Sequence, residues 1–87
     1  MIVDDEEILT RLIKEYFQAR AEDVEPIAVN DPQQVFPLLR EHRDIRLIIS
    51  DIRMPGLSGL ELLMKVKSDY PRTQVILMTG YGSQLLE

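Results

Sequence analysis

The chain has 87 residues, a formal net charge of −5 and no cysteine, which allows one domain and excludes disulfides and thiolate metal sites. The acidic balance argues against direct nucleic-acid binding by this segment, because phosphate backbones are bound by basic patches. No apolar run approaches the roughly 18 residues of a membrane span, and no basic and apolar leader precedes the first apolar run. We therefore expect a cytoplasmic domain that does not contact a membrane.

The first half of the chain alternates between short apolar runs and helical periodicity. This pattern predicts a strand at 1–3, a helix at about 6–20, an edge strand at 26–29 and a second helix that begins at a cap on Asn30 or Asp31 and runs to about 41. Pro37 lies inside that second helix and removes a backbone hydrogen bond there. We therefore expect a kink or a late helix start at this proline.

The second half is centred on the run Leu47-Ile48-Ile49-Ser50-Asp51. Three aliphatic residues without polar alternation predict a strand covered on both faces, as in the middle of a parallel sheet. A Pro-Gly turn follows at 55–56, and Ser58 is expected to cap a third helix at about 59–69. A fourth strand is expected at about 74–78, and a further helix begins at about 83, where the chain soon stops.

Three of the apolar runs end in polar side chains. In open α/β sheets the ligand crevice lies outside the carboxyl ends of the strands. If these strands are parallel neighbours, Asp4, Asp5, Asp51 and Thr79 meet at one edge of the sheet. Crowded carboxylates repel one another unless a cation neutralises them, and an oxygen-only ligand set suits Mg²⁺. The pattern therefore predicts a magnesium site.

The same residues carry a family resemblance. Asp4-Asp5-Glu6, Asp51-Ile52-Arg53-Met54-Pro55-Gly56 with Gly59, and Met78-Thr79-Gly80-Tyr81 together resemble the receiver domain of two-component response regulators, in order and along the whole chain. The resemblance implies a flavodoxin-like α/β fold of three layers with parallel sheet order 2-1-3-4. It also implies that residues 1–87 form one incomplete receiver domain, because the fifth strand and last helix of the family are absent from the chain.

The resemblance also assigns roles to individual residues. It implies that Asp51 accepts a phosphoryl group, that Asp5 and Asp51 bind Mg²⁺ directly, and that Asp4 acts through a water. The backbone carbonyl of Arg53 would complete the metal shell, and Thr79 would be the switch hydroxyl.

The lysine that the family carries on its fifth strand has no counterpart in this chain. The lysines present all lie in predicted helices: Lys14, Lys65 and Lys67.

By the same resemblance the domain is a regulatory phosphoacceptor rather than an enzyme. Its partners would be a histidine kinase or phosphotransfer protein and an output domain outside this segment. One alternative is a receiver-like interaction module that dimerises and is never phosphorylated, which the absence of the family lysine leaves open. A four-stranded sheet would expose its fourth strand as an apolar edge, through which a homodimer could form. A less favoured alternative is an aspartyl-phosphate phosphatase, which usually has a second Asp where this chain has Arg53.

Overall fold

The computed structural model describes residues 1–20 and 23–78, which form a parallel sheet with helices on both faces. The strands are β1 (Ile2–Val3), β2 (Ala28–Val29), β3 (Leu47–Asp51) and β4 (Gln74–Met78), and the helices are α1 (Glu7–Arg20), α2 (Val35–Glu41) and α3 (Gly59–Asp69). The strand order is β2-β1-β3-β4 and every pairing is parallel, which confirms the predicted order 2-1-3-4. The predicted helix start near residue 83 lies outside the described residues.

The segment before α2 corrects one prediction. A single helix was expected from the cap at 30 or 31, whereas the structure has a 3-10 turn at Pro32–Gln34 followed by α2. Asp31, not Asn30, is the cap, and its carboxylate accepts a hydrogen bond of 3.0 Å from the backbone N–H of Gln33. Because α2 begins at Val35, Pro37 falls in its first turn, where no intrahelical N–H bond is lost. The expected late start is therefore confirmed.

The strand order also determines which face of the sheet each helix covers. The chain moves in one direction from β1 to β2 and in the opposite direction from β2 to β3 and from β3 to β4. Since crossovers between parallel strands are right-handed, α1 lies on one face and α2 and α3 lie on the other. Helices therefore lie on both faces of the sheet, as expected for a three-layer fold.

The buried core lies on the face of α2 and α3. Strand, helix and loop side chains pack there into one apolar cluster with at most 8% exposure: Val3, Val29, Val35, Leu39, Ile48, Met54, Leu57, Leu62 and Val66. The loop after β3 contributes Met54 and Leu57, so burial of these side chains holds that loop against the sheet. The end of β3 is therefore anchored on this face by its own connection to α3.

The face of α1 is less completely covered among the described residues. Helix α1 packs on β1 and β2 but leaves Leu12 and Tyr16 each 55% exposed. On the same face, Ile76 of β4 is 51% exposed beside its register partner Ile49, which is half-buried. The prediction that β3 is covered on both faces is thus only half right here, because no described helix lies over its α1 side near β4.

The start of α3 shows a capping pattern that the sequence predicts. The Oγ of Ser58 accepts a hydrogen bond of 3.2 Å from the backbone N–H of Glu61, three residues into the helix. Glu61 also contributes a negative charge near the positive end of the helix dipole. The helix that follows the candidate site is therefore fixed at its first turn.

Ser58→Ala should lower the free energy of unfolding by about 1 kcal/mol, because the first turn loses its side-chain acceptor. Urea unfolding monitored by circular dichroism measures the change. Ser68→Ala is the matched control, since Ser68 is exposed near the end of the same helix and its loss should change stability by less than about 0.5 kcal/mol. Equal effects of the two substitutions would contradict a capping role.

Candidate metal site at the carboxyl edge of the sheet

The register of β2, β1 and β3 aligns their carboxyl ends. Val3 pairs with Val29 on one side and with Ser50 on the other. The next residue of each strand is therefore at the same level, namely Asp4, Asn30 and Asp51. A short β1 thus brings polar side chains from three separate parts of the sequence to one edge.

Three carboxylates cluster at this edge. Asp4, Asp5 and Asp51 each place one carboxylate oxygen within 4.8 Å of the other two. Asp4 is buried, Asp51 is half-buried and Asp5 is exposed, so the cluster opens to solvent on one side. Hard oxygen ligands on an open site fit Mg²⁺, which binds through one or two carboxylates and keeps several waters. The donor set therefore matches the predicted cofactor.

The electrostatics of Asp4 show how crowded this cluster is. Burial of its carboxyl raises the pKa above the ordinary value, and the hydrogen-bonded Asp5 side chain and the charges of Asp51 and Asp5 act in the same direction. One backbone N–H, that of Glu6, donates to the Asp4 carboxylate at 3.0 Å and opposes the rise in pKa. The ionised cluster is thus unfavourable by itself, and a bound divalent cation would relieve the repulsion.

The end of β3 is held in place on both sides of Asp51. Asp51 pairs with Met78 of β4, and the N–H of Ile52 donates to the Met78 carbonyl at 2.9 Å. The Ile52 carbonyl then accepts a hydrogen bond of 2.7 Å from the N–H of Gly59, the first residue of α3. Hydrogen bonds to β4 and to α3 therefore hold the backbone next to Asp51 in place.

The remaining predicted site residues are placed as follows. Arg53 is exposed in the connection between β3 and α3, two residues beyond Asp51. Thr79 and the 80–82 loop lie outside the described residues.

The three lysines lie in helices, as predicted. Lys14 lines a cavity at the amino edge of the sheet, and Lys67 donates to the Thr73 carbonyl at 3.0 Å. The third, Lys65, lies 5.9 Å from the Phe36 ring centroid.

Two polar residues beside the cluster were not predicted as part of the site. The sequence pattern predicts Asn30 only as a candidate helix cap and assigns no role to Thr10. The side-chain amide of Asn30 donates to the Asp4 carbonyl at 3.0 Å and to the Thr10 hydroxyl at 2.8 Å. The sequence did carry one signal, because Asn30 directly follows a predicted strand and so belongs to the same edge as the aspartates.

Comparison with known proteins identifies the family. The family described as the response regulator receiver domain matches residues 1–86. The chain belongs to this family. Receiver domains are regulatory phosphoacceptors of two-component systems, and their acidic residues bind Mg²⁺. The predicted family and fold are thus confirmed, while the roles of individual residues in this receiver domain remain predictions.

Individual relatives agree with this assignment. The receiver chain is 28% identical over 86 residues to a CheY homolog from Campylobacter jejuni, a match that covers 97% of this chain and 65% of that protein. It is 34% identical over 83 residues to the regulatory protein AtoC from Escherichia coli, covering 94% of this chain and 17% of that one. FleR from Pseudomonas aeruginosa is 39% identical over 57 residues, which are 66% of this chain and 12% of FleR.

A solved structure shows the same fold. A response regulator receiver domain protein from Clostridium thermocellum superposes with a TM-score of 0.81 and 25% identity, covering 98% of this chain and 68% of that one. The described helices of this receiver domain include none long and apolar enough to cross a membrane.

Proposed function

We propose that this receiver domain accepts a phosphoryl group on Asp51 from a phosphohistidine of a histidine kinase or phosphotransfer protein. The observation that carries the proposal is the convergence of Asp4, Asp5 and Asp51, each with an oxygen within 4.8 Å of the others. Mg²⁺ would be held by Asp5, Asp51 and the Arg53 carbonyl, with Asp4 acting through a water. An output domain outside this segment would read the change.

The proposed reaction is phosphoryl transfer to a carboxylate. An Asp51 oxygen attacks phosphorus in line, the P–N bond to the imidazole breaks, and the imidazole nitrogen keeps the electron pair. The product is an acyl phosphate on Asp51. When bound, Mg²⁺ supplies positive charge that offsets the carboxylates and the phosphoryl oxygens. The clamped backbone at Ile52 supports the proposal, since it holds the nucleophile in one position for the attack.

The acyl phosphate would act as a switch through β4. Met78, the last described residue of β4, pairs with Asp51, so β4 reaches the level of the phosphoacceptor. We infer that Thr79, the next residue, supplies the hydroxyl that responds to the phosphoryl oxygens. Added negative charge at the end of β3 would then change the surface that follows β4.

Mg²⁺ titration followed by beryllofluoride, a mimic of the phosphoryl group, tests this function. We expect Mg²⁺ to raise the thermal midpoint of the 87-residue chain, by the equivalent of about 2.7 kcal/mol at a concentration 100 times the dissociation constant. Beryllofluoride should then give a bound fluorine NMR signal only when Mg²⁺ is present. A folded chain that binds neither ligand would contradict the proposal.

The exposed apolar surface favours one alternative, a receiver-like module that associates with a second copy and is not phosphorylated. Leu12 and Tyr16 of α1 and Ile76 of β4 are each about half exposed in the described part of the chain. Such a module would dimerise in sedimentation experiments and would not respond to beryllofluoride. The phosphatase alternative has no such support, because Arg53 occupies the position of the second aspartate.

A further inference from the structure

Asn30 links three elements at the edge of the acidic cluster. It follows β2, and its side-chain nitrogen donates to the backbone carbonyl of Asp4 after β1 and to the hydroxyl of Thr10 in α1, at 3.0 and 2.8 Å. Thr10 is 1% exposed, and its hydroxyl donates in turn to the Glu7 carbonyl at 3.0 Å. The network therefore runs from β2 through one amide to both the end of β1 and the first turn of α1.

The orientation of this amide follows from its partners. The Asp4 carbonyl can only accept a hydrogen bond, so the nitrogen of Asn30 and not its oxygen must face it. The Thr10 hydroxyl gives its single proton to Glu7, so it too accepts from Asn30. Both amide hydrogens are thus used, and neither a carboxylate nor an aliphatic side chain of similar size could replace them.

The bond to the Asp4 carbonyl acts on the next residue as well. That carbonyl belongs to the planar peptide between Asp4 and Asp5, so fixing it also fixes the direction in which the chain enters Asp5. The N–H of Asp4 donates to the Val29 carbonyl at 3.0 Å, which holds the other side of the same residue. Asn30 and Val29 thereby restrain the backbone on both sides of Asp4, just before the exposed Asp5.

We propose that Asn30, acting with Thr10, is a positioning residue for the acidic metal site. It contributes no ligand and acts through the backbone between Asp4 and Asp5. This inference rests on the proposed function, since it assumes that the cluster binds Mg²⁺. Groups that orient metal ligands typically change metal affinity by about 10- to 100-fold when removed. Because Asn30 acts through a peptide, we expect about 10-fold.

The test measures Mg²⁺ affinity by calorimetry and stability without metal by urea unfolding, in the 87-residue chain. Asn30→Ala should weaken Mg²⁺ binding by about 10-fold and Thr10→Val by about 3-fold. The double variant should lose less affinity than the product of these two factors, because both residues act through one network. Thr10→Ser keeps the hydroxyl and should restore wild-type affinity. Thr10→Val also leaves Asn30 in place and tests the network if Asn30→Ala does not fold.

Thr73→Val is the matched control for a purely structural role. The buried Thr73 hydroxyl donates to the Ile45 carbonyl at 3.0 Å near the amino ends of β3 and β4, far from the acidic cluster. Its loss should lower stability as Asn30→Ala does, yet leave Mg²⁺ affinity unchanged. The inference would be overturned if Asn30→Ala bound Mg²⁺ as tightly as wild type. It would also be overturned if Asn30→Ala and Thr73→Val lost Mg²⁺ affinity to the same extent. A wild-type chain that binds no Mg²⁺ would overturn the proposed function and the inference with it.

Discussion

Asp51→Asn should abolish beryllofluoride binding and phosphoryl transfer, and weaken Mg²⁺ binding on the order of 100-fold. The amide keeps the shape of the side chain but lacks the charge and the nucleophilic oxygen. Two unit charges 4 Å apart interact by about 4 kcal/mol at an effective dielectric constant of 20, so the interaction of one carboxylate with a divalent cation is about twice as large. The remaining amide oxygen and water recover most of that energy as neutral ligands. Calorimetry measures the Mg²⁺ affinity, and intact mass after incubation with a small phosphoryl donor measures transfer.

The same substitution should have the opposite effect on stability without metal. The charge of Asp51 is one of the causes that raise the pKa of Asp4, so its removal relieves repulsion within the buried cluster. The thermal midpoint of metal-free Asp51→Asn should therefore exceed that of wild type, while Mg²⁺ should stabilise only the wild type appreciably. A variant that is more stable than wild type without metal, but is less stabilised by Mg²⁺, distinguishes a cation-binding site from an aspartate that only stabilises the fold.

Asp44→Asn is the control for Asp51→Asn. Asp44 is exposed near the amino end of β3, at the opposite edge of the sheet, and its substitution makes the same change in net charge. It should change neither Mg²⁺ affinity nor beryllofluoride binding by more than about twofold, since exposed distant charges are screened by salt. If both variants lost binding equally, net charge and not the cluster would explain the effect.

Gly59→Ala should lower the free energy of unfolding by about 3 kcal/mol and the thermal midpoint by roughly 10 °C or more. A methyl group on Gly59 would overlap the Asp51 carbonyl oxygen and lie 2.8 Å from the Ile52 Cα. These are backbone atoms, so no flexible side chain can move aside. Thermal unfolding monitored by circular dichroism measures the effect, and the displaced end of β3 should weaken Mg²⁺ binding as well.

Helix propensity alone would predict that Gly59→Ala raises the free energy of unfolding, which is the opposite of the expected result. Alanine is more favourable than glycine within a helix by about 1 kcal/mol, and Gly59 is the first residue of α3. Gly56→Ala is the control: Gly56 has φ +86°, and its added methyl group would lie 3.5 Å from the Gln33 amide nitrogen, in ordinary contact. It should cost only about 1–2 kcal/mol of backbone strain. A Gly59→Ala variant as stable as wild type would contradict the close approach of α3 to β3.

The order of the strands and helices, and the residues at the carboxyl edge of the sheet, could be predicted because both depend on local sequence pattern. The run that ends at Asp51 and the Ser58 cap each carry their signal within a few residues, and α3 and β4 have the predicted bounds. The late start of α2 also follows from local chemistry, since Pro37 cannot donate a hydrogen bond in a helix interior. The split of the second helix into a 3-10 turn and α2 goes with two hydrogen bonds that Asp31 accepts, from the N–H groups of Gln33 and Gln34, which sequence spacing does not predict.

The sequence alone determined which residues end the strands, and therefore that Asp4, Asp5 and Asp51 belong to one edge. Only the tertiary structure decided how close they lie, which of them is buried, and that the Asn30 amide donates to both the Asp4 carbonyl and the Thr10 hydroxyl. It also decided that Gly59 contacts the end of β3 and that Ile76 of β4 is about half exposed among the described residues. The physical reason is that strand and helix periodicities act over a few residues, whereas hydrogen bonds between distant segments and close packing depend on where whole elements lie.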